Sequence, residues 1–124
     1  MKLNYFKLSE FDSPDLKGSG SNMDLEFLEM LDEARDIAQI PFRITSGFRT
    51  QEHHDDLTRR NYKTSKTSSH LKGLAADISV TSSKNRYTVF NSLLLAGFTR
   101  IGIANNFIHV DLDEDKTQEV VWTY

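Results

Sequence analysis

Three side chains in this sequence have the chemistry and the spacing to hold a metal ion. His70 and Asp77 lie seven residues apart in Ser-Ser-His-Leu-Lys-Gly-Leu-Ala-Ala-Asp, and His109 follows in Phe-Ile-His-Val-Asp-Leu. Imidazole nitrogen and carboxylate oxygen are donors that zinc accepts, and three protein ligands with a fourth position open is the catalytic rather than the structural arrangement. The chemistry on offer is hydrolysis, because such an ion acidifies water and polarises a carbonyl. The chain contains no cysteine, so thiolate ligation and disulfides are both excluded. His53 and His54 are rival ligands. They are adjacent rather than four apart on an expected helix, so they cannot both face one ion. One of them should pack against the core and the other should be exposed.

The elements that must position these residues can be read in outline. Residues 1–12 should lie over the core as an extended segment or short turn, and Ser13 to Ser21 reads as a loop punctuated by Pro14, Gly18 and Gly20. A helix is expected from Met23 to Ala38, capped by Ser21 or Asn22. Its buried face should carry Leu25, Leu28, Leu31, Ala34 and Ile37 or Ala38, and its solvated face Asp32, Glu33, Arg35 and Asp36. Pro41 stops it, and Phe42 to Thr45 reads as a short strand. Thr50 caps a second helix that ends near Arg59 to Asn61, and the polar run Lys63 to Ser69 is a surface loop. In Leu74 to Val80, Ala76, Ile78 and Val80 point to one side of a strand and Asp77 to the other. Ser82 or Ser83 caps a third helix whose apolar face holds Val89, Phe90, Leu93 and Leu94, with Gly97 ending it.

The last third places the second histidine. Phe98 to Ala104 and Phe107 to Leu112 flank Asn105-Asn106, a pair suited to a two-residue hairpin turn. That register sets Ile103 opposite Ile108, Gly102 opposite His109, Ile101 opposite Val110 and Arg100 opposite Asp111. One face of the hairpin is then aliphatic. The other carries His109, Asp111 and Arg100, with a glycine facing the histidine where a metal needs room. Asp113 to Gln118 forms an acidic turn, and Glu119 to Tyr124 closes the sheet as a final strand. The fold expected from this order is α+β: a small, mostly antiparallel sheet with helices packed on one face and the metal site on the other.

Bulk properties narrow the function. The chain has 124 residues, enough for one domain with a real core. A net charge of −3 carries no basic footprint of a nucleic-acid binder. No stretch approaches the ~18 apolar residues of a membrane span. The N-terminus lacks the apolar run of a signal peptide, so synthesis as a soluble cytoplasmic chain is expected; a monomer is also expected.

Ser68-x-His70-x-x-Gly73-x-Ala75-x-Asp77, preceded by Ser46-Gly47-Phe48-Arg49 and followed by Gly102-Ile103 and Phe107-Ile108-His109-Val110-Asp111, resembles the zinc D-Ala-D-Ala carboxypeptidase family. These are peptidoglycan peptidases of VanX-like and phage-endolysin type, structurally akin to the signalling domain of hedgehog proteins. The resemblance is closest to their small single-domain branch and covers roughly residues 40–112. It implies one zinc peptidase domain over 1–124, with zinc on His70, Asp77 and His109. It implies that Arg49 binds the substrate's carbonyl or carboxylate, that Ser68 helps hold the peptide, and that the substrate is a peptidoglycan stem peptide. The bond would be cut as by a D,D-carboxypeptidase or an L,D- or D,D-endopeptidase.

The chain departs from this family at the general base. Relatives place a carboxylate three residues before the last zinc histidine, and here that position is Asn106, which cannot take a proton from water. Asp111 shares a strand face with His109 and is the expected substitute, with Asp113 and Glu114 weaker candidates in the turn. The alternative for Asp111 is a pairing with Arg100 that is electrostatic or structural. A wall enzyme made without a leader fits a phage lysis enzyme released through a holin pore. The alternative to catalysis is a non-catalytic zinc-containing binding module of the same fold.

Overall fold

The computed structural model describes residues 2–62 and 64–124, so Lys63, first residue of the expected polar loop, lies outside the description. Asp24, rather than Ser21 or Asn22, starts helix α1 (Leu25–Ala38): its carboxylate accepts from the Phe27 amide at 3.0 Å. The helix starts two residues later than expected, and its buried face also differs from the expected one. Phe27, Leu28, Leu31 and Ala34 are buried, whereas Leu25 is 54% exposed and Ile37 is also exposed. Asp32, expected in solvent, is buried because its two oxygens accept from the backbone amides of Asn4 and Tyr5. The N-terminal segment is thus tied to α1 by a carboxylate, and Phe6 and Phe11 enter the core beside it. Phe11 ends a short 3-10 turn (Leu8–Phe11).

Helix α2 (Gln51–Arg59) is capped by Thr50 as expected, and α3 (Ser83–Leu95) by Ser82. On α3 Val89 and Leu93 are buried and Phe90 packs against the core, but Leu94 faces out. The strands are β1 (Ile44–Ser46), β2 (Ala75–Ser79), β3 (Arg100–Ile103), β4 (Phe107–Asp111) and β5 (Val120–Thr123), in the order β1-β2-β4-β3-β5. All neighbours are antiparallel except β3 and β5. This is the α+β class and mostly antiparallel sheet that the sequence implied.

Strand alternation divides the sheet. Ala76, Ile78, Ile101, Ile108 and Val110 join α1 and α3 in one core, where Phe27 and Phe98 meet edge to face at 5.7 Å. The opposite face carries the polar residues of the same strands. The expected hairpin register is present, with Ile101, Gly102 and Ile103 facing Val110, His109 and Ile108. The neighbouring ladders pair Asp77 with Ser46 on one side and with His109 on the other, and Gly102 with Trp122. One row therefore crosses all five strands: Ser46, Asp77, His109, Gly102, Trp122.

Candidate metal centre

That row sets two of the three candidate ligands side by side, and a short turn supplies the third. Ser68 caps the 3-10 turn Ser69–Lys72 by accepting from the His70 amide, and Gly73 closes it at φ +72°, where a side chain would be strained. A Cβ on Gly73 would also come within 2.4 Å of the Asn22 carbonyl oxygen. The turn is stitched to Ser46–Arg49 from both directions. His70 Nδ1 donates to the Gly47 carbonyl at 2.8 Å, and the Arg49 amide donates to the His70 carbonyl at 3.1 Å. This explains why two motifs distant in sequence act at one place.

The ligand atoms converge. His70 Nε2 lies 3.4 Å and His109 Nδ1 2.9 Å from the same Asp77 oxygen. One ligand atom from each of the three residues falls within 4.8 Å of the others. A carbonyl can only accept, so the His70 proton sits on Nδ1 and Nε2 presents its lone pair inward. His109 Nε2 is likewise committed to Asp111 Oδ2 at 2.8 Å, leaving Nδ1 to face Asp77. Two nitrogens and a carboxylate oxygen aimed at one point suit a positive charge between them, a proton on His109 or a metal ion. Burial alone would raise the Asp77 pKa, but the two imidazoles hold it far below the ordinary carboxylate range. Burial alone would lower that of His109, but Asp111 and Asp77 raise it. A divalent cation fits this donor set, and each histidine is oriented by an acceptor on its far nitrogen, as metal-binding histidines usually are.

Asp111 sits on the His109 face of β4, as alternation requires. Its carboxylate, 1% exposed as a residue, is engaged at both oxygens: Oδ2 by His109, Oδ1 by Arg100 Nε at 2.7 Å and by the Asp113 amide. These bonds outweigh burial and lower its pKa. The pairing with Arg100 is therefore present in the structure. Asn106 lies exposed in the hairpin turn, with its carbonyl accepting from Val80.

Gly102 serves a different purpose from the one its position suggested. A Cβ there would lie 2.6 Å from the Trp122 indole, which occupies the space over the glycine and stands 5.6 Å from the His109 ring. The missing side chain makes room for an aromatic buttress, not for the ion. Trp122 also holds the Arg100 guanidinium, 5.0 Å from its ring centre.

Arg49 and Ser68 line the same cavity, of about 500 Å³, as the three candidate ligands. Arg49 Nε is buried and finds no hydrogen-bond partner among the described residues, and burial lowers the guanidinium pKa while Asp77 opposes the shift. Its NH1 lies 3.3 Å from Nδ1 of His54, which is buried and whose pKa burial and Arg49 both lower. His54 is thus the inward member of the adjacent pair, set against Arg49 and not among the converging ligands. Asp113, once a candidate in the turn, accepts from Ser69 Oγ at 2.7 Å and pairs with Lys72 at 3.0 Å, tying the His70 turn to the segment after β4. Trp122 and Tyr124 were not read from the sequence as parts of the site. The spacing of Trp122 and Tyr124 on one strand face was the available signal.

The converging His70, Asp77 and His109 are compatible with a bound metal ion. A family model described as Peptidase M15 matches residues 4–111, and the chain belongs to that family. A comparison with curated protein sequences gives no significant match. Among solved structures, the chain is similar to the L-Ala D-Glu endopeptidase ChiX of Serratia marcescens, with a TM-score of 0.62 and 14% identity. That likeness covers 75% of this chain and 82% of the other, and at this identity it speaks for the fold. Among the described residues no helix is long and apolar enough to cross a membrane.

Proposed function

We propose that this protein is a zinc-dependent peptidase that hydrolyses a peptide bond in peptidoglycan stem peptides. The observation that carries the reading is the convergence of His70 Nε2, Asp77 Oδ1 and His109 Nδ1 in the cavity that Arg49 also lines, with the buried Nε of Arg49 unpartnered among the described residues. A two-nitrogen, one-oxygen donor set suits zinc. When bound, the ion supplies a nucleophilic water and polarises the scissile carbonyl.

The chain's own residues do the rest. Arg49 offers a desolvated guanidinium to a substrate carboxylate, where a charge-assisted pair is strongest. Ser68 accepts from the His70 amide and retains its own hydrogen to donate to the peptide. Asp111 fixes the tautomer and tilt of His109 from behind. An acid–base role for Asp111 would require its carboxylate to release Arg100 or His109. Action on the bacterial wall, in the setting of a phage lysis enzyme, belongs to the same reading.

The test is digestion of purified muropeptides by the zinc-loaded protein, with products assigned by mass spectrometry. One substrate ends in D-Ala-D-Ala and the other carries an intact L-Ala-D-Glu bond. Cleavage of either bond, lost with chelator and restored by zinc, is the expected outcome. Asn106 at the usual base position favours a second reading, a zinc-containing binding module without turnover. Stoichiometric zinc and tight muropeptide binding with no cleavage would select it.

A further inference from the structure

Tyr124 follows the last strand at a fixed position. Its amide donates to the Ile103 carbonyl at 3.1 Å, and its ring lies 5.2 Å from Phe107 and 6.5 Å from Trp122. Both neighbours stand on the metal-site face of the sheet, and Tyr124 lines the same cavity as His70, Asp77 and His109.

The other donors in this cavity differ in how they are engaged. Arg100 is held by Asp111 and the Thr117 carbonyl, and Lys116 by Ser69. Burial, then the Asp77 and Asp111 carboxylates, push the Tyr124 phenol above its ordinary pKa, so it keeps its proton at neutral pH. The Trp122 indole is close enough to oppose that shift. An indole N–H can only donate, so Trp122 cannot take the phenol's hydrogen, which is left for another partner.

We propose that Tyr124 is a further catalytic residue, whose hydroxyl donates a hydrogen bond to the scissile carbonyl oxygen as negative charge builds on it. The proposal rests on the peptidase reading above. Tyr124 is 66% exposed as a residue, so the hydroxyl stands at the open side of the cavity wall, where a donor held in place by its ring packing acts on the transition state more than on the bound substrate. The cavity wall then divides the work, with Arg49 holding a substrate carboxylate and Tyr124 meeting the developing oxyanion. The hydroxyl forms no covalent bond and transfers no net proton.

Tyr124→Phe tests this, because the ring keeps its packing on Phe107 and Trp122. The readouts are kcat and KM on the cleaved muropeptide, and affinity for a phosphinate analogue of the scissile dipeptide alongside that for the product peptide. The expected result is a kcat lower by about 10²–10³-fold with KM within about twofold. Phosphinate affinity should fall in parallel, with product affinity and thermal midpoint unchanged. An active wild type with a Tyr124→Phe variant retaining kcat and phosphinate affinity within about threefold overturns the Tyr124 assignment alone. A wild type that cleaves neither substrate overturns the peptidase reading and this proposal with it.

Discussion

The two faces of the sheet are made by the same strands and obey different rules. On one face Ala76, Ile78, Ile101, Ile108 and Val110 fill volume under α1 and α3. One residue along each strand, the other face holds the row Ser46, Asp77, His109, Gly102, Trp122. The aliphatic face needs side chains of roughly the right size, since cores tolerate volume-conserving exchange. The polar face needs each atom where it is. His109 works only if Asp77 is opposite on one strand, a side chain is missing opposite on the other, and Asp111 stands behind. A one-residue slip would exchange the two faces entirely, so burial of the apolar set fixes the register that builds the site.

Substitutions on the two faces should separate stability from metal chemistry. The largest effect is expected from His109→Ala, which should abolish cleavage and the stoichiometric metal while leaving a folded protein. Calorimetry should show the wild type stabilised by about 2.7 kcal/mol at a metal concentration of 100 Kd, with no gain in the variant. Its neighbour on the opposite face should behave in reverse. Ile108→Ala should cost about 2–5 kcal/mol in denaturant unfolding through the cavity it leaves, with metal stoichiometry and kcat per folded molecule retained.

Gly102→Ala tests the buttress. Its Cβ would meet the Trp122 indole at 2.6 Å, so Trp122 must move or strain. A loss of about 1–3 kcal/mol is expected together with weaker metal binding, measurable by fluorescence of this tryptophan, the chain's only one. Asp111→Asn should weaken metal affinity about 10–100-fold by loosening the orientation of His109. If the variant instead binds metal normally and loses turnover, Asp111 belongs to proton transfer.

The smallest effect concerns Asp113, which holds the His70 turn to the segment after β4. Burial works against its ionisation, but Ser69 and Lys72 lower its pKa in the folded state. A depressed folded pKa contributes stability above the ordinary value of about 3.9, and this is lost as pH falls through the folded value. Thermal midpoints taken from pH 5 to pH 3 should therefore fall less steeply for Asp113→Asn than for the wild type.

Much of the candidate site was legible because its signals are local. Asp77 faces away from the core by simple alternation, and Asn105-Asn106 fixes the hairpin that sets Gly102 opposite His109. The face of α1 was partly misread. Leu25, expected on the buried face, is exposed as the first residue after the Asp24 cap, and Phe27 is buried instead. Asp32 looked solvated because nothing near it in sequence shows that the amides of Asn4 and Tyr5 come to it.

The sequence by itself determined most of the elements and the hairpin register, because short-range periodicity and turn chemistry control them, and donor chemistry singled out His70, Asp77 and His109, whose side chains converge. It could not determine that β5 lies parallel beside β3, since that pairing depends on a connection passing out of the hairpin and back. Only the tertiary structure decided that Trp122 fills the place over Gly102, that Asp111 is held by Arg100 and His109, and that His54 turns toward Arg49. Each is a contact between residues whose closeness follows from packing and not from spacing. The glycine opposite His109 was visible from the start, and its reason was an indole thirteen residues beyond the histidine.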